Sequence, residues 1–344
     1  MSRRHFLKAS ALVGAGGITG GFPSMSTAQN ERPASKSAKP PYRIIMGGYS
    51  PATTGFSLAM KRIGDRLQAK FGKDVDVKYV YNILSLGYKG EDILWLVENG
   101  LLTLGYQSSS YLTDRAPDLG IADLPFLFSD DAKARAAMDG RFGALLAERI
   151  ESKFDYRILG WFENGFRHIS NRLRPIRVPA DMREMKIRVL PSKVQERTFE
   201  LIGADPKIMD LSEVVPAVKA GTIDAQENPY FNTVTYGIHA FHKFHSATNH
   251  FYLSRPIFLH RASFDAWPQP LQDEMRAAVR DAVAFQRDLH VKEEVESMAA
   301  IRAEGGAIIE ITPQERQAFV KAVTPIYAEA RSRYGRDLLS LAGL

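Results

Sequence analysis

Cysteine is absent from the 344 residues. That removes disulfide frameworks, thiolate zinc sites, iron–sulfur clusters and cysteine nucleophiles together, and leaves histidines and carboxylates as the candidate metal ligands. The hydrolase elbow G-x-S-x-G, the phosphate loop G-x-x-x-x-G-K-[ST] and the zinc helix H-E-x-x-H are missing too. So is an undiluted apolar run of about 20 residues of the kind a membrane-spanning helix wants. The nearest stretch, Ala9–Ala28, is uncharged but interrupted by glycines, Ser and Thr. What remains is an ordinary globular composition, 45% hydrophobic and 24% charged, long enough for two domains with their own cores.

The net charge of +6 would admit a nucleic-acid partner if it were concentrated on one folded surface. It is not. The first 28 residues hold three of the 45 basic residues and none of the 39 acidic ones, which leaves +3 for the remainder. They read as an export signal, with a basic head at Arg3-Arg4-His5-Phe6-Leu7-Lys8, a mildly apolar middle, and small residues at Ser26-Thr27-Ala28. The paired arginines are of the twin-arginine type, which predicts a periplasmic protein. Gly14–Gly20 imitates a dinucleotide-binding loop, but no strand precedes it.

A polar, proline-bearing leader follows over 29–41, and order is expected from Tyr42. Arg43–Gly47 predicts a strand, and Phe56, Met60, Ile63, Leu67 and Phe71 recur at helical spacing before Gly72. Val75–Tyr81 then predicts a strand, Glu91–Glu98 a helix and Leu101–Tyr106 another strand, a βαβαβ succession that implies a parallel sheet. The pattern returns with strands at Tyr156–Trp161 and Lys186–Leu190 and a helix over Val194–Ile202, hence a second α/β lobe. From Gln269 to Glu304 apolar residues keep helical spacing at Leu271, Met275, Ala278, Ala282, Phe285, Leu289, Val295 and Met298. One helix of that length would reach ~50 Å and could brace both lobes; the alternative is a break near His290-Val291.

Three segments could carry chemistry. Gly165–Asn171 and Lys186–Pro191 each set an arginine, Arg167 or Arg188, beside alternating apolar residues at the edge of a lobe. A guanidinium there can fork onto a ligand carboxylate, or it can pair with a neighbouring Asp or Glu. Asp224–Pro229 ends in Asn228-Pro229, which suits an N-cap followed by the first helical residue, with the helix end aimed at an anion. His239, His242, His245 and His250 are a weak metal candidate. Three-residue steps splay the rings, no carboxylate lies among them, and a packed helix end reads better.

In this order the motifs resemble those of the extracytoplasmic solute-binding subunits of tripartite ATP-independent periplasmic (TRAP) transporters, DctP type. The resemblance rests on Leu124–Phe128, Asn164–Arg167, Arg174–Ile176, Pro179–Met182, Lys186–Val189, Gly203–Pro206, Ser212–Val214 and Asp224–Pro229. It runs from about Arg43 to Arg336. It implies an α/β fold of the two-lobe periplasmic-binding-protein type, with crossing strands and a long lobe-bridging helix. Lobe I is expected over 42–164 with 253–290, and lobe II over 165–252 with 291–344.

The same resemblance implies that a small organic acid is captured by closure of the lobes and passed to membrane permease subunits driven by an ion gradient. No cofactor, metal or nucleic acid is implied, no catalysis is expected, and a monomer is the default. Arg188 looks like the carboxylate-forking residue, Arg167 its cationic partner, and Asn228 a polar contact. From the first lobe, Tyr49, Gln107 and Phe126 lie at expected strand ends, where such sheets place ligands. Tyr230 and Phe231 would suit a bulkier acid. The sequence departs from the family pattern at Leu84–Gly90 and at Met209-Asp210-Leu211, both expected near the pocket. The competing readings are an exported enzyme that acts on organic acids with His168 or a carboxylate as base, and a sensor subunit that uses the same clamp.

Overall fold

The structure, a computed structural model, describes residues 41–344; the expected signal and nearly all of the leader lie outside the described residues. Two sheets organise these residues. The first contains β1 (Tyr42–Gly47), β2 (Val75–Val80), β3 (Leu104–Tyr106) and β4 (Tyr156–Phe166), together with a late strand, Tyr252–His260. The second contains β5 (His168–Asn171), β6 (Lys186–Val189), β7 (Asp205–Ile208), β8 (Ala225–Asn228), β9 (Phe244–Ser246) and, after the late strand β10, β11 (Ala307–Ile309). The orders are β2-β1-β3-β10-β4 and β11-β9-β5-β8-β6-β7.

The first three strands pair in parallel, as the βαβαβ spacing predicts. β10 runs antiparallel to both β3 and β4. Two stretches of chain therefore pass from one sheet to the other, β4 into β5 and β9 into β10. They are tied at the crossing by Arg167 N–H donating to the Phe251 carbonyl at 2.9 Å. Gly165, two residues before Arg167, sits at φ +84, and a Cβ there would lie 2.4 Å from His290 Nε2. The close approach and the left-handed backbone both require glycine.

The helix Gln269–Ala303 is unbroken through 35 residues, so the break considered at His290-Val291 does not occur. Its first half buries Leu271, Met275, Ala278, Val279, Ala282 and Val283 in the lobe I core. Its second half buries mainly polar side chains, Gln286, His290 and Ser297, with Ile301 near its end, and leaves the expected core residue Val295 64% exposed. The apolar spacing slips there because the helix has left the hydrophobic core and crosses polar interlobe ground. Gln286 acts as a surrogate strand edge: its carbonyl accepts from Glu163 N–H and its amide donates to Glu163 O, both at 2.9 Å.

The expected grouping of 291–344 with lobe II needs correction at its end. The helices Pro325–Arg333 and Arg336–Leu341 place Ile326, Ala330, Tyr334, Leu338 and Leu339 in the lobe I core. The chain folds back across the molecule, a long-range packing choice that short helices with little periodicity do not announce. Among the described residues no helix is long and apolar enough to cross a membrane.

Candidate functional site

Between the sheets lies a small cavity of about 20 Å³. From the first sheet and the loops beyond its strand ends come Tyr49, Gln107, Ser108, Tyr111, Asn164 and Arg255; from the lobe II side come Arg188, Leu190, Leu211, Asn228 and Tyr236, with Arg167 at the crossover. Burial pushes the phenols of Tyr49 and Tyr111 well above their ordinary range and that of Tyr106 behind them to about 12, so they remain protonated hydrogen-bond donors.

Arg188 extends from β6, 2% exposed, with Nε donating to the Met209 carbonyl at 3.0 Å and Nη2 to the Tyr111 hydroxyl at 3.4 Å. No carboxylate among the described residues lies within ion-pair distance of it, so a permanent charge is held against neutral partners at the cavity wall. Arg167 is placed differently. Its Nε and Nη2 grip both oxygens of Glu227, Nη2 also reaches Asn228 Oδ1 at 2.9 Å, and Nη1 reaches Asn164 Oδ1 at 2.7 Å. Burial pushes the Glu227 carboxyl up, but the Arg167 guanidinium and His250 outweigh it and hold the group ionised below its usual range. The charge of Arg167 is thus already matched, and the side chain acts as a strut that orients Asn164 and Asn228.

Asn228 does not cap a helix as its sequence context suggests. It closes β8, its carbonyl oxygen accepts from Arg167, and its amide donates to Gln226 Oε1. Pro229 takes the N-cap position and the helix begins at Tyr230. The open amides of Tyr230 and Phe231 donate instead to Glu294 of the long helix, at 3.3 and 2.8 Å. The buried pull of Arg167 on Asn228 wins over a local cap worth about 1 kcal/mol.

Gln107 also lines the cavity, with its amide spent on the Gly90 carbonyl at 2.6 Å. Four expected residues do not line it. Met209 contributes its carbonyl to Arg188. Phe126, at φ +56, lies under the Arg316 guanidinium, 4.8 Å from its ring centroid. Tyr230 stacks on His168 at 4.1 Å, and Phe231 packs on Phe56 and edge-on to His290. The side chains of Tyr230 and Phe231 turn away because the helix that carries them is anchored to the long helix. The expected helix end at 239–245 is a short 3-10 turn, Ile238–Ala240, followed by β9. There His242 Nδ1 pairs with Ser170 Oγ at 2.9 Å and His245 Nε2 with the His242 carbonyl at 2.9 Å.

Arg255 was missed by the sequence reading. It is 3% exposed in the middle of β10 and lies over the rings of Phe56, Tyr49 and Tyr106 at 4.2, 5.0 and 5.8 Å. The signal was available: a lone arginine inside the apolar run Leu253–Leu259, the same signature that singles out Arg188.

Comparison with known proteins agrees with the geometry. Residues 46–333 match the family described as bacterial extracellular solute-binding protein, family 7 (DctP), and residues 1–20 match the twin-arginine translocation signal. A solute-binding protein of Verminephrobacter eiseniae is 30% identical over 282 residues, 82% of this chain and 83% of that protein. The 2,3-diketo-L-gulonate-binding periplasmic protein YiaO of Escherichia coli is 28% identical over 277 residues, 80% of this chain and 83% of its own length. A TRAP periplasmic solute-binding protein from Polaromonas sp. JS666, solved bound to D-erythronate, superposes with a TM-score of 0.82 at 25% identity, covering 88% of this chain and 98% of that one.

Proposed function

The chain belongs to the bacterial extracellular solute-binding proteins of family 7, and from that premise we propose that its solute is a small organic acid whose carboxylate is gripped by Arg188 between the lobes. It is a binding subunit and not an enzyme, exported by its twin-arginine signal, and in this family the captured solute passes to TRAP permease subunits. The observation that carries the ligand reading is the state of Arg188: buried, at the cavity wall, and held only by a carbonyl and a hydroxyl. Keeping a cation desolvated without an acid beside it is costly, and an incoming carboxylate with two parallel acceptors removes that cost.

Tyr49 and Asn228, from opposite sides of the cavity, complete the enclosure, with Arg167 and Gln107 holding the walls in place. Both sides come from one chain, so a monomer suffices to enclose the solute. Closure follows if the acid binds the closed form better than the open one, since equal affinity shifts no population. The relatives' acids, a diketogulonate and an erythronate, are compact and oxygen-rich, which suits the polar side chains that line the cavity.

A thermal-shift screen of organic acids against the mature chain, followed by calorimetry, tests this, because a native-state ligand raises apparent stability by mass action. Arg188→Ala is expected to weaken the best acid by about 2 kcal/mol or more. Unchanged affinity would remove Arg188 from the grip.

A further inference from the structure

We propose that lobe I carries a second binding site, away from the interlobe cavity, for a monomeric long-chain carboxylate. Two cavities of about 500 and about 490 Å³ lie along β4 and the first half of the long helix, the first of them also against the helix Arg141–Glu151. They share Ile158, Leu159 and Arg280, so they form one groove. Its walls all come from lobe I. The groove is therefore complete with the lobes open or closed, and the proposal stands apart from the Arg188 reading. Its two halves differ in chemistry. The first is lined by Ala144, Ala147, Leu159, Trp161 and Val283, and the charged pair at its rim, Asp139 and Arg287, is closed on itself at 2.6 and 2.8 Å. In the second half Arg157 holds both acids, Glu151 at 3.0 Å and Asp265 at 2.9 and 2.7 Å. That leaves Arg276 and Arg280, one turn apart on the long helix, with no carboxylate within ion-pair distance among the described residues. Arg276 lies over the Phe264 ring at 4.7 Å with Nη1 buried and unpartnered, and Arg280 is exposed where the halves meet.

An apolar compartment that opens onto two unmatched guanidiniums suits an acyl chain ending in an anion. Each methylene removed from water adds to binding, and a carboxylate gives Arg276 and Arg280 the acceptor they lack. A cationic head would be repelled by the same pair. From Arg276 to Arg287 the long helix rises roughly 16 Å, which gives a chain of about twelve carbons room to lie along it. An added peptide strand fits less well, because side chains already cover the free edge of β4. Glu151 accepts from Ile158 N–H at 2.8 Å, and Gln286 holds both backbone groups of Glu163. A strand docked there would find few open partners for its own backbone.

The probe is dodecanoate, kept below its micelle concentration and titrated calorimetrically into the full mature chain. It is expected to bind, and octanoate to bind at least about tenfold more weakly because its chain buries less apolar surface. Dodecyltrimethylammonium, with the same tail and the opposite charge, should not bind. Trp161 lines the apolar half, so a dodecanoate brominated at its tail should quench tryptophan fluorescence, and Trp161→Phe should remove that quench. Arg280→Glu and Ala144→Trp both alter exposed residues, which leaves folding intact. The first reverses the charge at the head and the second fills the groove, and each is expected to weaken dodecanoate at least about tenfold. Arg188→Ala should leave dodecanoate affinity unchanged. Absence of dodecanoate binding at millimolar concentration overturns the site, as does equal binding of the cationic amphiphile. Binding that survives Arg280→Glu and Ala144→Trp but is lost in Arg188→Ala also overturns it, since the acid would then sit between the lobes.

Discussion

The carboxylate of Asp210 accepts from the backbone N–H of Gly90 at 3.0 Å and from that of Glu91 at 3.1 Å, joining lobe II to lobe I beside the cavity. The same carboxylate caps the helix Leu211–Ala220 through Ser212 N–H at 2.9 Å. Gly90 is held in turn by Gln107. The two places where the sequence departs from the family pattern, 84–90 and 209–211, are thus the two halves of one interlobe contact. Charge-assisted bonds of this kind contribute about 1.5–3 kcal/mol. They exist only when the lobes are together, so they raise the closed population before any solute arrives.

Asp210→Ala is therefore expected to lower solute affinity about tenfold, since apparent affinity scales with the population of the binding-competent form. Small-angle scattering of the unliganded variant should show a larger radius of gyration than the parent. Affinity and size that both stay at parental values would mean that the contact does not hold the lobes.

The pH dependence of stability has a definite sign. Burial pushes the imidazoles of His168 and His242 down to about 3 and those of His245 and His290 to about 4, and it lowers His250 as well. Each is neutral in the folded chain and takes up a proton on unfolding below its ordinary value near 6.5, so stability falls as pH drops through that value. Glu294 works the other way. Burial raises it to about 7 against the Phe231 and Tyr230 amides, so its contribution falls as pH rises from about 4.5 towards 7. Burial also raises Asp123 to about 6 and raises Asp131 and Glu293, which act in the same sense as Glu294, so five histidines oppose four carboxyls. Thermal melts should show Tm dropping from pH 6.5 to 4.5, and Glu294→Gln should raise Tm at pH 8 relative to the parent. A flat profile would mean that the rings are solvated.

The strands, helices and two-lobe plan were legible because apolar spacing reports burial against a sheet or core, as with Phe56, Met60, Ile63 and Leu67 on the first helix. Arg188 was legible for a related reason: a charge inside an apolar strand must point at something. Legibility ended where long-range polar pairing decides the outcome. Nothing local to Asn228 says that Arg167 will claim it, or that Glu294, sixty-six residues on, will cap the helix in its place. Phe126 and Phe231 fit an aromatic pocket by composition, and only the packing of Arg316 and Phe56 against them shows that they serve the cores.

The crossover itself can be tested at Gly165. Alanine there would meet a positive φ of +84 and a Cβ contact of 2.4 Å with His290 Nε2 at once. The backbone penalty is about 1 kcal/mol and forced overpacking adds about 1–3 kcal/mol. Gly165→Ala is expected to lower the denaturant midpoint correspondingly. Adding His290→Ala, which clears the clash but not the backbone strain, should recover part of the loss.

Glu227 and Arg167 form an ion pair in which both side chains are essentially inaccessible, 0% and 2% exposed. Removing one partner of such a pair leaves an uncompensated buried charge and costs about 3–5 kcal/mol. Glu227→Gln is expected to destabilise the chain by that amount in urea unfolding, with Arg167 left as a third unmatched cation at the cavity. The solute readout separates structure from electrostatics. If Arg167 is a strut whose charge is already matched, Arg167→Met with Glu227→Gln, which removes both charges, should recover most of the stability. It should also leave solute affinity within about tenfold of the parent, because Arg188 keeps its charge. Complete loss of binding in the stable double variant would show that Arg167 pairs with the solute directly, and its contact with Glu227 would then be a resting position.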